Sequence, residues 1–131
     1  MSEVHAELKY TREHEWLRPE PDGSITIGIT DHAQAALGEL VYVELPDIGT
    51  QCGLNEACAV VESVKAASDV YAPIAGEITA TNQTLADSPE LVNSSPYSEG
   101  WVLTLRPEDS AALDTLMDAA AYQQFVAELE D

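Results

Sequence analysis

The sequence predicts a mainly β fold, a compact barrel or sandwich with helical additions, on three observations. Apolar residues alternate with a period of two in several short runs up to about Leu105. Clusters of Pro, Gly, Asp and Asn punctuate those runs at short intervals. Beyond Ser110 the apolar spacing changes to three and four, so helix closes a chain that begins as strand.

Each element follows from local chemistry. The segment Glu15 to Arg18 and the run Ser24 to Ile29 flank Glu20-Pro21-Asp22-Gly23, a turn sequence, and so form a hairpin with Ile25, Ile27 and Ile29 on one face. Asp31 as N-cap and Gly38 as stop bound a short helix over HAQAAL. Val41, Val43 and Leu45 alternate as a further strand, ended by Pro46-Asp47-Ile48-Gly49. The runs Ala57 to Val61 and Asp69 to Ala72 are strands rich in small and β-branched residues, with Lys65 between them. Pro73 to Gly76 turns the chain into Glu77 to Asn82, and Trp101 to Leu105 repeats the alternation. Between these, Asp87-Ser88-Pro89-Glu90-Leu91-Val92 has a capping residue followed by Pro at the first helical position. Leu113, Leu116, Met117, Tyr122, Phe125, Val126 and Leu129 mark one or two amphipathic helices at the end.

A chain of 131 residues with 45% hydrophobic and 22% charged residues is sized for one globular domain spanning residues 1–131. The formal charge is −19, from 24 acidic and 5 basic side chains. Long-range repulsion from phosphate backbones and anionic membranes argues against both as partners. Basic protein surfaces are favoured, although such acidity also serves solubility alone. No apolar run reaches the roughly 18 residues that a membrane span requires. The N-terminus has neither a secretory apolar stretch nor an Arg-rich transit composition, so a bacterial-type cytoplasmic protein is expected; a mature mitochondrial form shorn of its leader would read the same. Cys52 and Cys58, six positions apart, fit neither a redox pair nor a zinc set and are expected to be reduced packing residues.

Lysine occurs only at positions 9 and 65. Lys65 sits at a tip of small or acidic residues, VESVKAASD, which leaves an extended amine open to a modifying enzyme; acylation would remove its charge and extend its reach. The plain alternative is a surface lysine paired with Glu62 or Asp69, worth about 0–1 kcal/mol.

The segment VESVKAASDVYAPIAGEI resembles the lipoyl-attachment region of the glycine cleavage system H proteins. The resemblance extends through YTREHEW, IGITDHAQAALGELVYVELPDIG and DSPELVNSSPYSEGW, from about Lys9 to Leu129. It implies a barrel-sandwich hybrid of the lipoyl/biotinyl-carrier type, with a short helix after the first hairpin and helix at the C-terminus. It further implies a non-catalytic carrier with lipoate in amide linkage on Lys65. Such a carrier takes an aminomethyl group from the pyridoxal-phosphate glycine decarboxylase to the tetrahydrofolate-dependent aminomethyltransferase and is reoxidised by dihydrolipoamide dehydrogenase. Lipoate-attaching enzymes are implied as further partners.

Matching residue by residue, the resemblance implies Glu15 and His32, and less directly Asp69, as contacts of the loaded arm. A Glu15 carboxylate would hold an aminomethyl ammonium by a charge-assisted hydrogen bond, and His32 would form a polar wall beside it. His14 lies between two acids but lacks a spaced partner, so no metal is assigned. The glycines form no phosphate-binding pattern, and no nucleophile elbow is present. Gln51-Cys52-Gly53-Leu54-Asn55 departs from the more acidic turn that the family leads one to expect.

Other readings share the same lysine. An H-like lipoate relay would donate lipoyl groups to other enzymes, and only glycine-dependent carbon dioxide exchange separates it from the first reading. Biotin carriers place Met on both sides of the modified lysine, whereas Val64 and Ala66 flank Lys65. A Schiff-base enzyme needs a desolvated amine, which a turn among acidic residues does not provide.

Overall fold

The computed structural model describes residues 8–54, 56–108 and 116–130. Among the described residues, nine strands and four helices follow one another: β1 (Lys9–Tyr10), β2 (Glu15–Pro19), β3 (Ile25–Ile29), α1 (Asp31–Leu37), β4 (Leu40–Glu44), β5 (Gln51–Cys52), β6 (Ala57–Ser63), β7 (Ala67–Tyr71), β8 (Gly76–Thr81), α2 (Thr84–Asp87), α3 (Leu91–Ser94), β9 (Leu103–Pro107) and α4 (Ala119–Glu130). They build a six-stranded sheet in the order β1-β2-β3-β9-β8-β5 and a three-stranded sheet in the order β4-β6-β7. Every pairing is antiparallel. The expected mainly β class with helical additions is what the chain adopts.

Both sheets feed one core. Leu17, Ile25, Ile27, Ile78, Leu103 and Leu105 from the larger sheet meet Leu40, Val43, Val61 and Val70 from the smaller. The expected first hairpin is present as β2 and β3, with Trp16 opposite Gly28 and Leu17 opposite Ile27. Period two sends Leu17 into this core and Trp16 to the other face, where Leu8, Tyr10, Tyr122 and Val126 form a second cluster. The Trp16 indole lies where a Cβ at residue 28 would stand, 2.6 Å from its ring atoms, so only glycine admits it. The indole N–H donates to the Pro96 carbonyl at 2.9 Å.

Helix α4 covers this second face through Tyr122, whose ring stacks on Tyr10 at 4.5 Å and 7°. Phe125 and Val126 lie one turn on and pack there too, while Leu129 is exposed. The expected helix is therefore present from Ala119, but Leu116 and Met117 are not part of it. Met117 instead pairs its backbone with Tyr10, through N–H to carbonyl bonds of 2.8 and 3.0 Å. Leu113 lies outside the described residues.

Three further expectations shift. The alternation Val41, Val43, Leu45 is broken by a bulge between Leu40 and Tyr42, which turns Leu40 and Val43 inward and leaves Val41 and Tyr42 exposed. The N-cap of α1 is Thr30, whose hydroxyl accepts the Ala33 N–H at 3.2 Å, and Asp31 opens the first turn. The helix expected with Pro89 at its first position begins instead at Leu91, as α3, and Asp87 ends α2. No helix among the described residues is long and apolar enough to cross a membrane.

Candidate functional site

Strands β6 and β7 pair from Ala57 opposite Tyr71 to Glu62 opposite Ala67, which leaves a tight connection at their far end. Ser63 fastens it: its hydroxyl oxygen accepts the N–H groups of Lys65 and Ala66, both at 3.1 Å, and its N–H donates to the Ala66 carbonyl at 2.8 Å. A serine hydroxyl bonded to the backbone two and three residues on is a local turn-former. Val64 and Lys65 are left at the tip, both exposed. Lys65 makes no ion pair with Glu62 or Asp69; its Nζ donates to the Ala36 carbonyl in the last turn of α1, at 3.2 Å.

Glu15 opens β2 on the inner side and is only 2% exposed. One carboxyl oxygen accepts the Tyr71 N–H at 2.6 Å and the other the Thr11 hydroxyl at 3.2 Å. Burial raises its pKa to about 8, and these two hydrogen bonds oppose the rise without cancelling it. The carboxyl lines a cavity of about 320 Å³ together with Thr11, Arg12, Glu13, Leu54, Pro73 and Met117.

Asp69 is exposed on β7 and receives the Tyr71 hydroxyl at 3.4 Å. His32 is half-buried on α1, and its ring lies 4.6 Å from that of His14. His14 adopts a positive φ of 66°, a conformation uncommon outside glycine. Its Nδ1 lies 2.9 Å from the Tyr122 hydroxyl, which in turn lies 2.7 Å from the Thr30 hydroxyl. Burial first, and the neighbouring His32 second, hold the His14 pKa below its ordinary value.

The structure thus links Glu15 to β7 through Tyr71 and places Asp69 on the same strand. His32 meets the ring of His14, the residue before Glu15, in an imidazole and phenol cluster under α4. Thr11, Tyr71 and the cavity wall escape sequence reasoning, because Tyr71 acts on Glu15 through its backbone. Among the described residues no group of three or more metal-binding side chains occurs. Cys52 and Cys58 are free and buried, as expected of packing residues, and burial pushes the Cys58 thiol up to about 12. What the arrangement offers is a presented amine and, one strand length away, a cavity with a buried acid.

Residues 8–129 match the family described as Glycine cleavage H-protein. The glycine cleavage system H protein of Halorhodospira halophila is 62% identical over 128 residues, covering 98% of each chain. That of an Enterobacter species is 60% identical over 122 residues, covering 93% of this chain and 95% of its own. The crystal structure of a glycine cleavage system H protein from Mycobacterium marinum superposes with a TM-score of 0.84 at 34% identity, over 95% of this chain and 99% of that one. The chain therefore belongs to the glycine cleavage H-protein family, carrier components rather than enzymes.

Proposed function

We propose that residues 1–131 form one lipoyl-carrier domain of the glycine cleavage system, with lipoate attached as an amide to Lys65. The observation that carries this reading is the placement of the Lys65 amine: exposed, at the tip of a hairpin whose turn is closed by Ser63 and whose neighbours are small. These residues fit the group, because Lys65 is exposed at the tip, where an attaching enzyme can reach it. When bound, lipoate supplies a dithiolane that carries an aminomethyl group from the pyridoxal-phosphate glycine decarboxylase to the tetrahydrofolate-dependent aminomethyltransferase and is then reoxidised by dihydrolipoamide dehydrogenase.

The chain's own residues hold and shelter the arm. From Ala67 to Tyr71 a strand covers about 13 Å at ~3.3 Å per residue. A lipoyl-lysine side chain, of roughly a dozen bonds near 1.5 Å each, has comparable reach. An arm folded back along β7 passes Asp69 and ends at the Glu15 cavity. Burial keeps Glu15 neutral over much of the physiological range before an aminomethyl ammonium arrives. An ammonium brought beside it favours the anion, so Glu15 releases its proton and accepts a charge-assisted hydrogen bond. His32, on the helix that also contacts Lys65, serves as a polar flank. One tether for every transfer makes each step local once a partner has docked, and basic rims on those partners would complement the charge of −19.

Peptide mass spectrometry across Lys65 in protein from lipoate-fed bacterial cells tests the attachment, with a lipoyl increment at that peptide as the expected result. Lys65→Arg is expected to abolish glycine-dependent carbon dioxide exchange with the decarboxylase while leaving the unfolding midpoint unchanged. Full exchange by that variant would refute the proposal. The cytoplasm is the expected compartment, tested by fractionation.

A further inference from the structure

The amine at the hairpin tip is exposed, yet it is tied. Lys65 Nζ donates to the Ala36 carbonyl at 3.2 Å, and the side chain passes over Gly38 on the way. A Cβ at residue 38 would stand 3.1 Å from Lys65 Cε and 3.6 Å from Nζ. Gly38 also holds a φ of +85°, so a side chain there would be strained as well as obstructive.

The segment that offers this carbonyl is held by the Gly38 N–H, which donates to the Gln34 carbonyl at 3.0 Å, and by one side chain. Asn93, half-buried on α3, donates from Nδ2 to the Gly38 carbonyl and to Gln34 Oε1, both at 2.9 Å. Its Oδ1 accepts the Leu40 N–H at 2.9 Å. Gln34 continues the chain of bonds by donating to Asp31 Oδ1 at 2.8 Å. Asn93 therefore clamps the last turn of α1, the glycine and the first residue of β4 in one arrangement. Without it, nothing else in this network ties the Gly38 carbonyl to α3.

We infer that the Ala36 carbonyl, the gap at Gly38 and the Asn93 clamp form a dock for the unmodified Lys65 side chain, which acylation of Nζ releases. A charged amine has three donors and makes the stronger, charge-assisted bond to a carbonyl. An acylated nitrogen keeps one N–H and no charge, and brings a bulky substituent to the place where Nζ sits. Gly38 and Asn93 are positioning residues in this scheme: they set where the acceptor amine rests before an attaching enzyme takes it. The inference rests on Lys65 being the attachment site.

The chain has two lysines, so protein labelled with carbon-13 and nitrogen-15 lysine gives two Cε–Nζ correlations, and Lys65→Arg identifies the one of interest. In the unmodified full chain, Lys65 is expected to show a shifted Nζ resonance and a restrained Cε methylene. Asn93→Ala and, independently, Gly38→Ala are expected to return both to free-lysine values, with the backbone spectrum confirming the fold. In acylation by a lipoate-attaching enzyme, the undocked variants are expected to show a KM lower by about two- to five-fold at unchanged kcat, the scale of one exposed charged contact. Free-lysine behaviour of Lys65 in the unsubstituted protein overturns the dock, whether or not either variant folds, and an unchanged KM overturns its role as a restraint. Absence of a lipoyl increment at Lys65 would instead remove the attachment reading, with the resonance measurement still deciding the dock.

Discussion

Glu15→Gln separates the energetics of the buried acid from everything else that titrates in so acidic a chain. In the folded protein burial raises the carboxyl from 4.5 to about 8, against the opposing hydrogen bonds from Tyr71 and Thr11. In the unfolded chain the same group ionises in the ordinary carboxylate range. Between those values the native state holds a proton that the unfolded state has lost. The contribution of Glu15 is thus fully present below about pH 4.5, falls as pH rises, and is gone above about pH 8. Each pH unit is worth about 1.4 kcal/mol, so the whole span is at most about 5 kcal/mol. The amide of the variant mimics the protonated acid: its oxygen can accept the Tyr71 N–H, and its NH₂ can turn to the Thr11 hydroxyl. Urea unfolding of both proteins from about pH 5 to about pH 9 is the assay, with the difference in stability as the readout. The variant is expected to match the parent near the acid end and to become progressively more stable than it towards pH 8, where the gap levels off. A gap that stays constant with pH, or that opens in the parent's favour, would refute the claim that Glu15 is held neutral by burial.

Two other substitutions probe how the second cluster holds α4 and the first hairpin together. Gly28→Ala drives a Cβ into the Trp16 indole and is expected to destabilise by about 1–3 kcal/mol in urea unfolding, with a shifted Trp fluorescence spectrum. Tyr122→Phe keeps the stack on Tyr10 but leaves His14 Nδ1 and the Thr30 hydroxyl without their shared partner; a loss of about 1–3 kcal/mol by calorimetry is expected, and an unaltered midpoint would count against the bridge.

Where a strand's neighbours agree with its own pattern, the sequence is a sufficient guide. Ile25, Ile27 and Ile29 alternate and are all buried, because β3 is flanked by β2 and β9 in regular register. In β4 the pattern misleads, since the bulge between Leu40 and Tyr42 belongs to the pairing with β6 and has no local signature. The start of α1 is a contest between two adequate caps, Thr30 and Asp31. A buried phenol decides it: Tyr122 engages the Thr30 hydroxyl from 92 residues away. Leu116 and Met117 carry helical spacing but lie outside α4, and Met117 pairs with β1, where a backbone edge was waiting for a partner.

The candidate site divides along the same line. Lys65 stands out in the sequence because lysine is so scarce and its neighbours so small, and the family resemblance adds what composition cannot. Glu15, His32 and Asp69 come from the resemblance alone, and the fold gives them unequal settings: a buried acid in a cavity, a ring in a histidine pair, and an exposed carboxylate on a strand. The residue that relates the first to the third is Tyr71, through its N–H to Glu15 and its hydroxyl to Asp69. A backbone donor leaves no trace in residue identity, so this link is invisible until β7 is laid beside β2. It also supplies the physical reason for one hairpin to serve both ends of a carrier. The strand that presents the amine at its tip returns to the acid at its base. Any displacement of β7 would therefore move both the proposed attachment point and the proposed shelter, and a stiff antiparallel pair, fixed by its ladder and by Ser63 at the turn, holds their separation constant.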